Sequence, residues 1–494
     1  MTRWWHVDPL GAGVASAVAV LALAPGLLPR DGIVQGVVSG GVAALGYGVG
    51  ALLSSVVGRP RGGRVVALVG VAVFGAALVV AAGWQRDAAA LIGARGPSTP
   101  EFLLALPVTV GAVVVAAAVG RGFRALTRLV RRRGVRRRGG AALVVVAVTL
   151  LVVAAVVGGG LALTERAFLA RNGEPGAATA PVGTTRSGSP TSLVAWDTLG
   201  RDGQRFVTGG APGAVRVYVG LTSAPDPPQR AALAAAEIER AGGFDRAVLA
   251  LATPTGSGAV DPQVPDSLEL AGGGDTAMAA VQYSTLPSDL SFLLDGTAAQ
   301  DQTRALVAAV RERLDRRPPD RRPRLLLYGQ SLGSFGSQAA FGSLDEVRAQ
   351  VDGVLWVGPP HASEPWAGLA ARRDPASPEV LPLVDGGRAV RFAGRASDLA
   401  SATPWERPRV LYLQHPSDPV VWWSPDLLWR RPDRLAEPAG FDVPRRQPWL
   451  PVITFWVTTV DLARAQSVPP DHGHRYDALL VDGWRAVLPG SPPG

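Results

Sequence analysis

The residues of this sequence best suited to chemistry surround a single serine. The apolar run Leu325–Tyr328 leads directly into Gly329-Gln330-Ser331-Leu332-Gly333, and small residues continue to Phe341. This is a G-x-S-x-G pattern, in which a sharp turn between a buried strand and a helix exposes a serine hydroxyl as a nucleophile. Five residues are a weak signal in a chain rich in glycine and serine, and a structural turn is the alternative. The strand pattern before the motif favours a nucleophilic Ser331.

A nucleophilic serine needs a base, and two histidines stand in a suitable part of the chain. A hydroxyl attacks well only when a neighbouring base accepts its proton and an acid orients that base. Hydrolases with this motif place the acid and then the histidine after the serine. Of the five histidines, only His472 and His474 lie late enough, in a loop. We prefer His474, because Gly473 gives the loop conformational freedom and Tyr476 can pack beneath the ring. His472 is the alternative.

The orienting acid should follow a strand and lie in a turn. Arg409–Gln414 has the pattern of a strand, and His415-Pro416-Ser417-Asp418-Pro419 follows it. The flanking prolines fix the direction of the Asp418 side chain, so we predict this residue as the acid. Three other aspartates could form turns, but none follows so clear a strand: Asp385, Asp398 and Asp426.

The oxyanion that forms during attack requires hydrogen-bond donors. The Leu332 N–H, at the start of the helix behind the serine, is the predicted first donor. We expect the second donor after the first strand, near Thr222 or Ser223. The loop Thr253–Gly258 is a competing donor, a substrate-binding loop or an ordinary glycine-rich connection, and the sequence leaves these alternatives open.

Strand and helix patterns alternate around these residues. Strands are predicted at Val215–Leu221, Arg246–Ala252, Leu325–Tyr328, Gly353–Val357 and Arg409–Gln414, and helices at Pro227–Ala241 and Asp301–Leu314. Repeated strand–helix units predict an α/β domain with a mainly parallel sheet and helices on both faces. Residues that act on ligands collect at the carboxyl ends of such strands, which is where Ser331 lies.

The first third of the chain has a different character. Five apolar stretches without charged side chains have about the length needed to cross a ~30 Å hydrocarbon core as helices. They are Leu10–Leu28, Ile33–Val57, Val65–Trp84, Phe102–Gly120 and Ala141–Leu163. A cleaved signal peptide would account for the first stretch alone. We predict an all-α five-helix transmembrane bundle that acts as an anchor, since no ionisable side chain within it marks an ion path.

The distribution of arginine predicts how this bundle is oriented. Residues 1–165 carry 16 arginines and 5 acids, a net charge of +11, whereas residues 166–494 carry a net charge of −2. The loop between the second and third stretches holds three arginines, and residues 121–138 hold nine. Positive-inside bias places both loops in the cytoplasm and everything after about Glu165 outside it. The basic excess therefore indicates topology, and no nucleic-acid partner is expected. We also expect the loop of residues 121–138 to bind anionic headgroups, although the topology signal explains it as well.

Composition excludes several chemistries. The 494-residue chain has no cysteine, and arginine supplies all 49 of its Lys and Arg residues. Disulfides, thiolate nucleophiles, Schiff bases and lysine-dependent phosphate loops are therefore excluded. The pair His472 and His474 could bind a metal, but no carboxylate partner is obvious. We predict no metal and no cofactor.

Composition also suggests domain boundaries. Residues 171–192 are dominated by Gly, Ala, Thr, Ser and Pro, which predicts a flexible tether. We expect a transmembrane domain at 1–165, a linker at 166–192 and a catalytic domain at 193–494.

Aromatic residues cluster between the acid and the histidine, where they could form a pocket wall or a lid, contact the bilayer interface or belong to the core. They are Trp422, Trp423, Trp429, Trp449, Phe455 and Trp456.

Five motifs taken together resemble a known family. They are Gly329–Ser334, Thr253–Gly256, Gly358-Pro359-Pro360, His415–Pro419 and His472–Tyr476. With the N-terminal spans they are similar, over nearly the whole chain, to the membrane-anchored bacterial α/β-hydrolases, and more distantly to cutinase-type esterases. The resemblance implies an α/β-hydrolase fold, a triad of Ser331, Asp418 and His474, and acyl esters as substrates.

We therefore expect a multi-pass protein of the bacterial cytoplasmic membrane that presents a serine esterase or lipase outside the cytoplasm. Its expected partners are the lipid bilayer and an acyl ester of an envelope lipid or glycolipid. An acyltransferase would form the same acyl-enzyme, and an inactive hydrolase fold could serve as an envelope scaffold. The sequence does not separate these alternatives, and it does not indicate an oligomeric state.

Overall fold

The computed structural model describes residues 7–58, 61–132, 178–285 and 297–488. The chain divides into two compact units. The helical unit comprises residues 1–160 and 423–469, and the sheet unit comprises residues 161–422 and 470–494. We call residues 423–469 the insert, because they interrupt the sheet unit in sequence yet belong to the helical unit. The single domain predicted over residues 193–494 is thus divided between the two units.

Among the described residues of the helical unit, three helical segments are long and apolar enough to cross a membrane: residues 32–57, 63–91 and 99–122. The helices here are α1 Pro9–Leu21, α2 Gly32–Val57, α3 Gly63–Leu91, α4 Thr99–Leu103 and α5 Ala105–Arg132. The predicted first span is wrong in length, because α1 has only 13 residues. Pro25 follows within a turn of its end and cannot continue a helix. The predicted fifth span, Ala141–Leu163, lies outside the described residues.

The sheet unit contains a sheet whose seven described strands are all parallel. Their order across the sheet is β1-β3-β2-β4-β5-β7-β6. Their bounds are β1 Val215–Val219, β2 Val248–Thr253, β3 Thr276–Val281, β4 Arg324–Gln330, β5 Gly353–Val357, β6 Val390–Ala393 and β7 Arg409–Leu413. In the central strands Leu327 pairs with Leu251 on one side and Val354 on the other, and all three are buried. Such continuous apolar strands are typical of a parallel sheet covered on both faces.

Helices alternate with these strands along the chain. They are α6 Gly200–Thr208, α7 Pro227–Arg240, α8 Gln263–Ala271, α9 Ala298–Asp315, α10 Leu332–Ala339, α11 Leu344–Gln350, α12 Trp366–Ala371, α13 Pro419–Trp422 and α15 Asp477–Val487, while the insert contributes α14 Ile453–Leu462. The α/β class and the five predicted strands agree with this arrangement. Sequence reasoning missed β3, whose alanine-rich strand has little β-propensity, and β6, a four-residue edge strand that contains Arg391.

In its described part, residues 178–192, the predicted linker is packed against the sheet unit and is not a flexible tether. Ser187 is fully buried, its N–H donates to the Arg216 carbonyl at 3.2 Å, and its Oγ accepts the Tyr218 N–H at 3.1 Å. The Arg186 guanidinium donates to the Val207 carbonyl at 2.5 Å. This segment therefore packs along β1. Its small polar residues suit an edge-strand contact as well as they suit a tether, which is why composition alone was misleading.

The insert joins the helical unit through α14. Ile453 and Val457 pack in one apolar cluster with Ala22, Val38 and Val42 of the N-terminal segment. The Trp456 indole N–H donates to the Val38 carbonyl at 3.2 Å. A Cβ added at Gly41 would lie 2.8 Å from the Trp456 ring, so the small residue is what allows the helices to approach.

Candidate active site

Ser331 occupies the turn between β4 and α10. Its backbone has φ 55° and ψ −125°, a conformation that is strained for any residue with a side chain. The Ser331 N–H donates to the Val357 carbonyl of β5 at 2.9 Å, and its carbonyl accepts the Phe335 N–H at 3.1 Å. A Cβ added at Gly333 would collide with the Thr253 carbonyl, so α10 starts in close contact with the end of β2. The neighbouring strands thus hold a half-buried serine hydroxyl at the carboxyl edge of the sheet.

A tyrosine at the end of β4 supports the residue before the serine. The Tyr328 hydroxyl donates to Gln330 Oε1 at 2.9 Å. Burial, and secondarily the charge of Asp261, raises the pKa of Tyr328 well above its ordinary value. The phenol therefore remains a hydrogen-bond donor over the whole physiological pH range.

Asp418 and His474 form a buried pair. His474 Nδ1 lies 2.7 Å from Asp418 Oδ2, and the two side chains are 3% and 0% exposed. A carboxylate only accepts, so Nδ1 carries the proton, and in the corresponding neutral tautomer the lone pair is on Nε2. The Val420 N–H donates to Asp418 Oδ1 at 2.8 Å, and the Tyr476 hydroxyl donates to Oδ2 at 2.7 Å. These three donors fix the direction of the carboxylate.

Further hydrogen bonds tie the loop of the acid to the loop of the histidine. The His415 Nδ1–H donates to the Gly473 carbonyl at 2.9 Å, and the Gly473 N–H donates to Ser417 Oγ at 2.8 Å. The His415 ring also stacks on Tyr476, with centroids 4.2 Å apart. Tyr476 was expected beneath the histidine ring, but it lies edge-on to His474 and fulfils its role through the hydroxyl. The two loops therefore form one rigid assembly.

The alternative site residues occupy other positions. The His472 ring has its centroid 6.4 Å from that of His415, while Asp418 bonds to His474. Asp398 accepts the N–H groups of Gly394 and Arg395, and Asp426 belongs to the insert. The Asp385 N–H donates to Asp374 in a surface turn.

Gly358, directly after β5, is a site residue to which sequence reasoning gave no role. It has φ 52°, and an added Cβ would lie 2.5 Å from His474 Cε1 and 3.1 Å from Asp418 Oδ2. Only glycine fits this conformation and this space. The available signal was a Gly-Pro-Pro sequence directly after a predicted strand.

The buried Nε2 atom of His474 has no hydrogen-bond partner among the described residues. A buried imidazole nitrogen without a partner is costly, and one that must accept a proton from a reacting group is a recurrent exception. Nucleophile–base hydrogen bonds are often long in the absence of substrate and shorten when it binds. The β7 strand before Asp418 is separated from the β4 strand before Ser331 by β5 alone, so their loops share one edge of the sheet.

Two loops are candidates for the second donor of the predicted oxyanion site. The predicted first donor, the Leu332 N–H, donates to no described residue. The loop after β1 carries Thr222, which is exposed, and β1 is separated from β4 by both β3 and β2. The loop after β2 is adjacent to β4 and is already in contact with Gly333. Strand order therefore favours Thr253–Gly258 over the predicted Thr222. Within it, Gly256 is buried and its N–H bonds to none of the residues that the structure describes.

The aromatic cluster is divided between the units. Trp422 is buried in the sheet unit, where its indole N–H donates to the His415 carbonyl at 2.9 Å. Trp423 and Trp449 donate to Thr459 and Leu427 within the insert. Trp429 is 65% exposed. The cluster is therefore mostly packed structure rather than a continuous pocket wall.

The described ranges contain no group of three or more His, Cys, Asp or Glu side chains arranged to hold a metal ion. The pair at His472 and His474 does not form such a group, because His474 is bonded to Asp418.

A parallel α/β sheet with Ser, Asp and His on loops at its carboxyl edge defines a hydrolase-type fold. The profile of the alpha/beta-hydrolase family matches residues 215–492, and the profile of the alpha/beta-hydrolase family N-terminus matches residues 23–211. The chain therefore belongs to the alpha/beta-hydrolase family, and the resemblance inferred from its motifs is confirmed. Comparisons with curated proteins and with solved structures give no significant match.

Proposed function

We propose that the protein is a serine hydrolase acting on carboxylic esters. Ser331 Oγ attacks the ester carbonyl carbon while its proton passes to His474 Nε2. The carbonyl electron pair becomes an oxyanion, which the N–H groups of Leu332 and Gly256 stabilise. The intermediate collapses, and the leaving alkoxide takes the proton from His474. Water then attacks the acyl-enzyme by the same route, which releases the acid and restores the Ser331 hydroxyl.

The observation that carries this proposal is the hydrogen bonding of the His474 ring, in which Nδ1 has a partner and Nε2 has none among the described residues. Asp418 holds Nδ1–H at 2.7 Å, so the free lone pair lies on a buried Nε2 that has no partner among the described residues. A histidine with a purely structural role would be expected to satisfy both nitrogens. The strained turn at Ser331, on the same edge of the sheet, supplies the hydroxyl that such a base would activate.

We further propose that this chemistry takes place outside the cytoplasm, at the bacterial inner membrane. The insert contacts the end of the helical unit that carries the arginine-poor loops: Leu27 N–H donates to Asp461 Oδ2 at 3.2 Å, and Arg464 donates to the Pro29 carbonyl at 2.8 Å. The arginine-rich segments lie at the other end: one follows α2, and the second, predicted as a loop from Arg121, begins within the last turns of α5, which continues to Arg132. Positive-inside bias places this end in the cytoplasm. The predicted fifth span, Ala141–Leu163, then leads the chain out of the cytoplasm, so the catalytic loops that follow it lie outside. Lipid or glycolipid esters of the envelope are then the accessible substrates.

A fluorophosphonate probe tests the chemistry on the full chain purified in detergent. We expect one adduct on Ser331, no adduct in Ser331→Ala or His474→Ala, and undiminished labelling in the matched control His472→Ala. Equal labelling rates in the wild type and His474→Ala would refute the assigned base, and absence of an adduct on folded wild-type protein would favour a scaffold. Product analysis with and without an alcohol acceptor distinguishes a hydrolase from an acyltransferase.

Protease accessibility tests the proposed orientation. In intact spheroplasts, added protease should cleave the sheet unit and leave the arginine-rich loops protected. The reverse pattern would show that the catalytic loops face the cytoplasm.

A further inference from the structure

A cavity of about 440 Å³ lies within the helical unit, at the end that carries the loop between α1 and α2. Its walls come from that loop, from residues 92–97 after α3, from the start of the α4–α5 segment, and from residues 464–469 of the insert. All of these segments belong to one compact unit. None of them contributes to the catalytic site described above.

Arginines dominate the polar lining of this cavity. Arg30, Arg95 and Arg464 all reach it. Arg30 is 1% exposed; two of its guanidinium nitrogens donate to the carbonyls of Ala22 and Ala24, but its Nε has no partner among the described residues. A buried cationic nitrogen without an acceptor is costly, and an anion in the cavity would supply one.

The carboxylates of the lining are already engaged elsewhere. Asp31 Oδ1 accepts the Val34 N–H at the start of α2, and Glu101 Oε2 accepts the Ser98 N–H at 2.8 Å. Glu101 also lies 3.7 Å from Arg95. Neither Arg30 nor Arg464 forms an ion pair with a described carboxylate, although the buried Asp461 lies near enough to act on the charge of both. The lining thus carries three arginines against two carboxylates, a formal excess of one positive charge, with the buried Asp461 close by.

Apolar side chains form the remainder of the lining. Ile33 and Leu104 are 59% and 50% exposed on helical segments long enough to span a membrane, and Ile92 and Val468 are buried beside them. Exposed apolar surface next to a cationic cavity suits an anion that carries hydrocarbon chains, whereas a soluble anion would gain nothing from it.

We propose that this cavity binds the phosphodiester headgroup of an anionic glycerophospholipid, with the arginines on the phosphate and the acyl chains along Ile33 and Leu104. The inference rests on the membrane placement proposed above and is independent of the esterase chemistry. The bound lipid joins the insert, which supplies Arg464 and Val468, to the loop before α2 and the start of that helix, which supply Arg30 and Ile33.

Native mass spectrometry of the full chain in detergent tests this site. Phosphatidylglycerol is compared with diacylglycerol of the same chains, which lacks the phosphate, and with glycerol 3-phosphate, which lacks the chains. The wild type should retain phosphatidylglycerol and neither of the other two at equal concentration. Arg464→Gln should weaken that binding about tenfold or more, and Arg464→Lys should restore most of it.

The matched control is Arg201→Gln, an exposed arginine of the sheet unit that does not line the cavity. It should bind phosphatidylglycerol as the wild type does. Thermal unfolding in detergent verifies that each variant is folded. Equal retention of diacylglycerol, or wild-type binding by folded Arg464→Gln, would overturn the proposal. Displacement of phosphatidylglycerol by stoichiometric glycerol 3-phosphate would identify a soluble phosphate ester as the ligand instead. Because lipid is counted without turnover, an inactive esterase would leave this result unaffected.

Discussion

The sheet unit and the helical unit bury polar groups in different ways. In the sheet unit the Asp418 carboxylate accepts from the His474 imidazole and the Tyr476 phenol, and the His415 imidazole donates to the Gly473 carbonyl, so each donor finds a directional acceptor. In the helical unit the contacts between helices depend on glycines and on side chains bonded to backbone carbonyls, as at Gly41 and Trp456. The first arrangement fixes atoms for chemistry, and the second allows helices to approach in an apolar environment. We therefore expect substitutions in the sheet unit to change turnover and those in the helical unit to change stability.

The largest expected effect is the loss of the nucleophile. Ser331→Ala should lower kcat/KM for short acyl esters by at least about three orders of magnitude, since no hydroxyl remains to form the acyl-enzyme. Ser401→Ala, at an exposed serine of the same unit, is the control and should retain parental activity. Steady-state kinetics in detergent measures both. Parental turnover in Ser331→Ala would place the chemistry elsewhere.

The next effect should come from Gly358→Ala. The new methyl group would press on the His474 ring from 2.5 Å and displace it, and misplacement of a base by about 1 Å costs about 100-fold in rate. Gly386→Ala is the matched control, because Gly386 also has a positive φ of 66° but nothing lies within 4 Å of an added Cβ. Both variants place an alanine at a positive φ, so they share the backbone strain and differ in the contact with His474. Only Gly358→Ala should therefore lose turnover. Equal losses would mean that strain, not contact with His474, decides the result.

A smaller effect is expected for Tyr476→Phe. The variant loses one donor to Asp418 and one acceptor for the His415 N–H, which should lower kcat about tenfold with little change in KM. Tyr283→Phe provides the comparison: Tyr283 is also buried, but its hydroxyl has no partner among the described residues. That variant should keep full activity. A Tyr476→Phe enzyme with parental kcat would show that the phenol is not needed to orient the carboxylate.

The smallest effect on turnover is expected in the helical unit. A Cβ at Gly36 would collide with Val108 of α5, so Gly36→Ala should destabilise the protein by about 1–3 kcal/mol and leave kcat unchanged. Gly48→Ala, in the same helix but with open space around it, should be neutral or slightly stabilising. Thermal unfolding in detergent, with kinetics in parallel, measures both. A large fall in kcat with unchanged stability in Gly36→Ala would contradict the division of roles.

Most of the sheet could be predicted because buried parallel strands and their helices leave local patterns. The turn at Ser331 follows from Leu325–Tyr328 and the glycines beside the serine, and a family match confirms the α/β-hydrolase fold. Edge and alanine-rich strands such as β6 and β3 carry weak patterns, because their place in the sheet is decided by neighbours distant in sequence. The spans of α2 and α3 were predicted from length and hydropathy, whereas Pro25 shortened α1.

What the sequence determined by itself were the local features: the residue types available for chemistry, the turn at Ser331, and the order of serine, acid and histidine. The sequence indicated Asp418 and His474 but kept alternatives such as His472; only the tertiary structure shows the 2.7 Å contact between them, because it joins residues 56 positions apart. Strand order across the sheet likewise favours the Thr253–Gly258 loop over Thr222, and the packing of Trp456 on α2 assigned the insert to the helical unit. Local patterns depend on the backbone energetics of a few neighbouring residues. Pairing, strand order and unit membership depend on which distant surfaces bury one another, and no short segment contains that information.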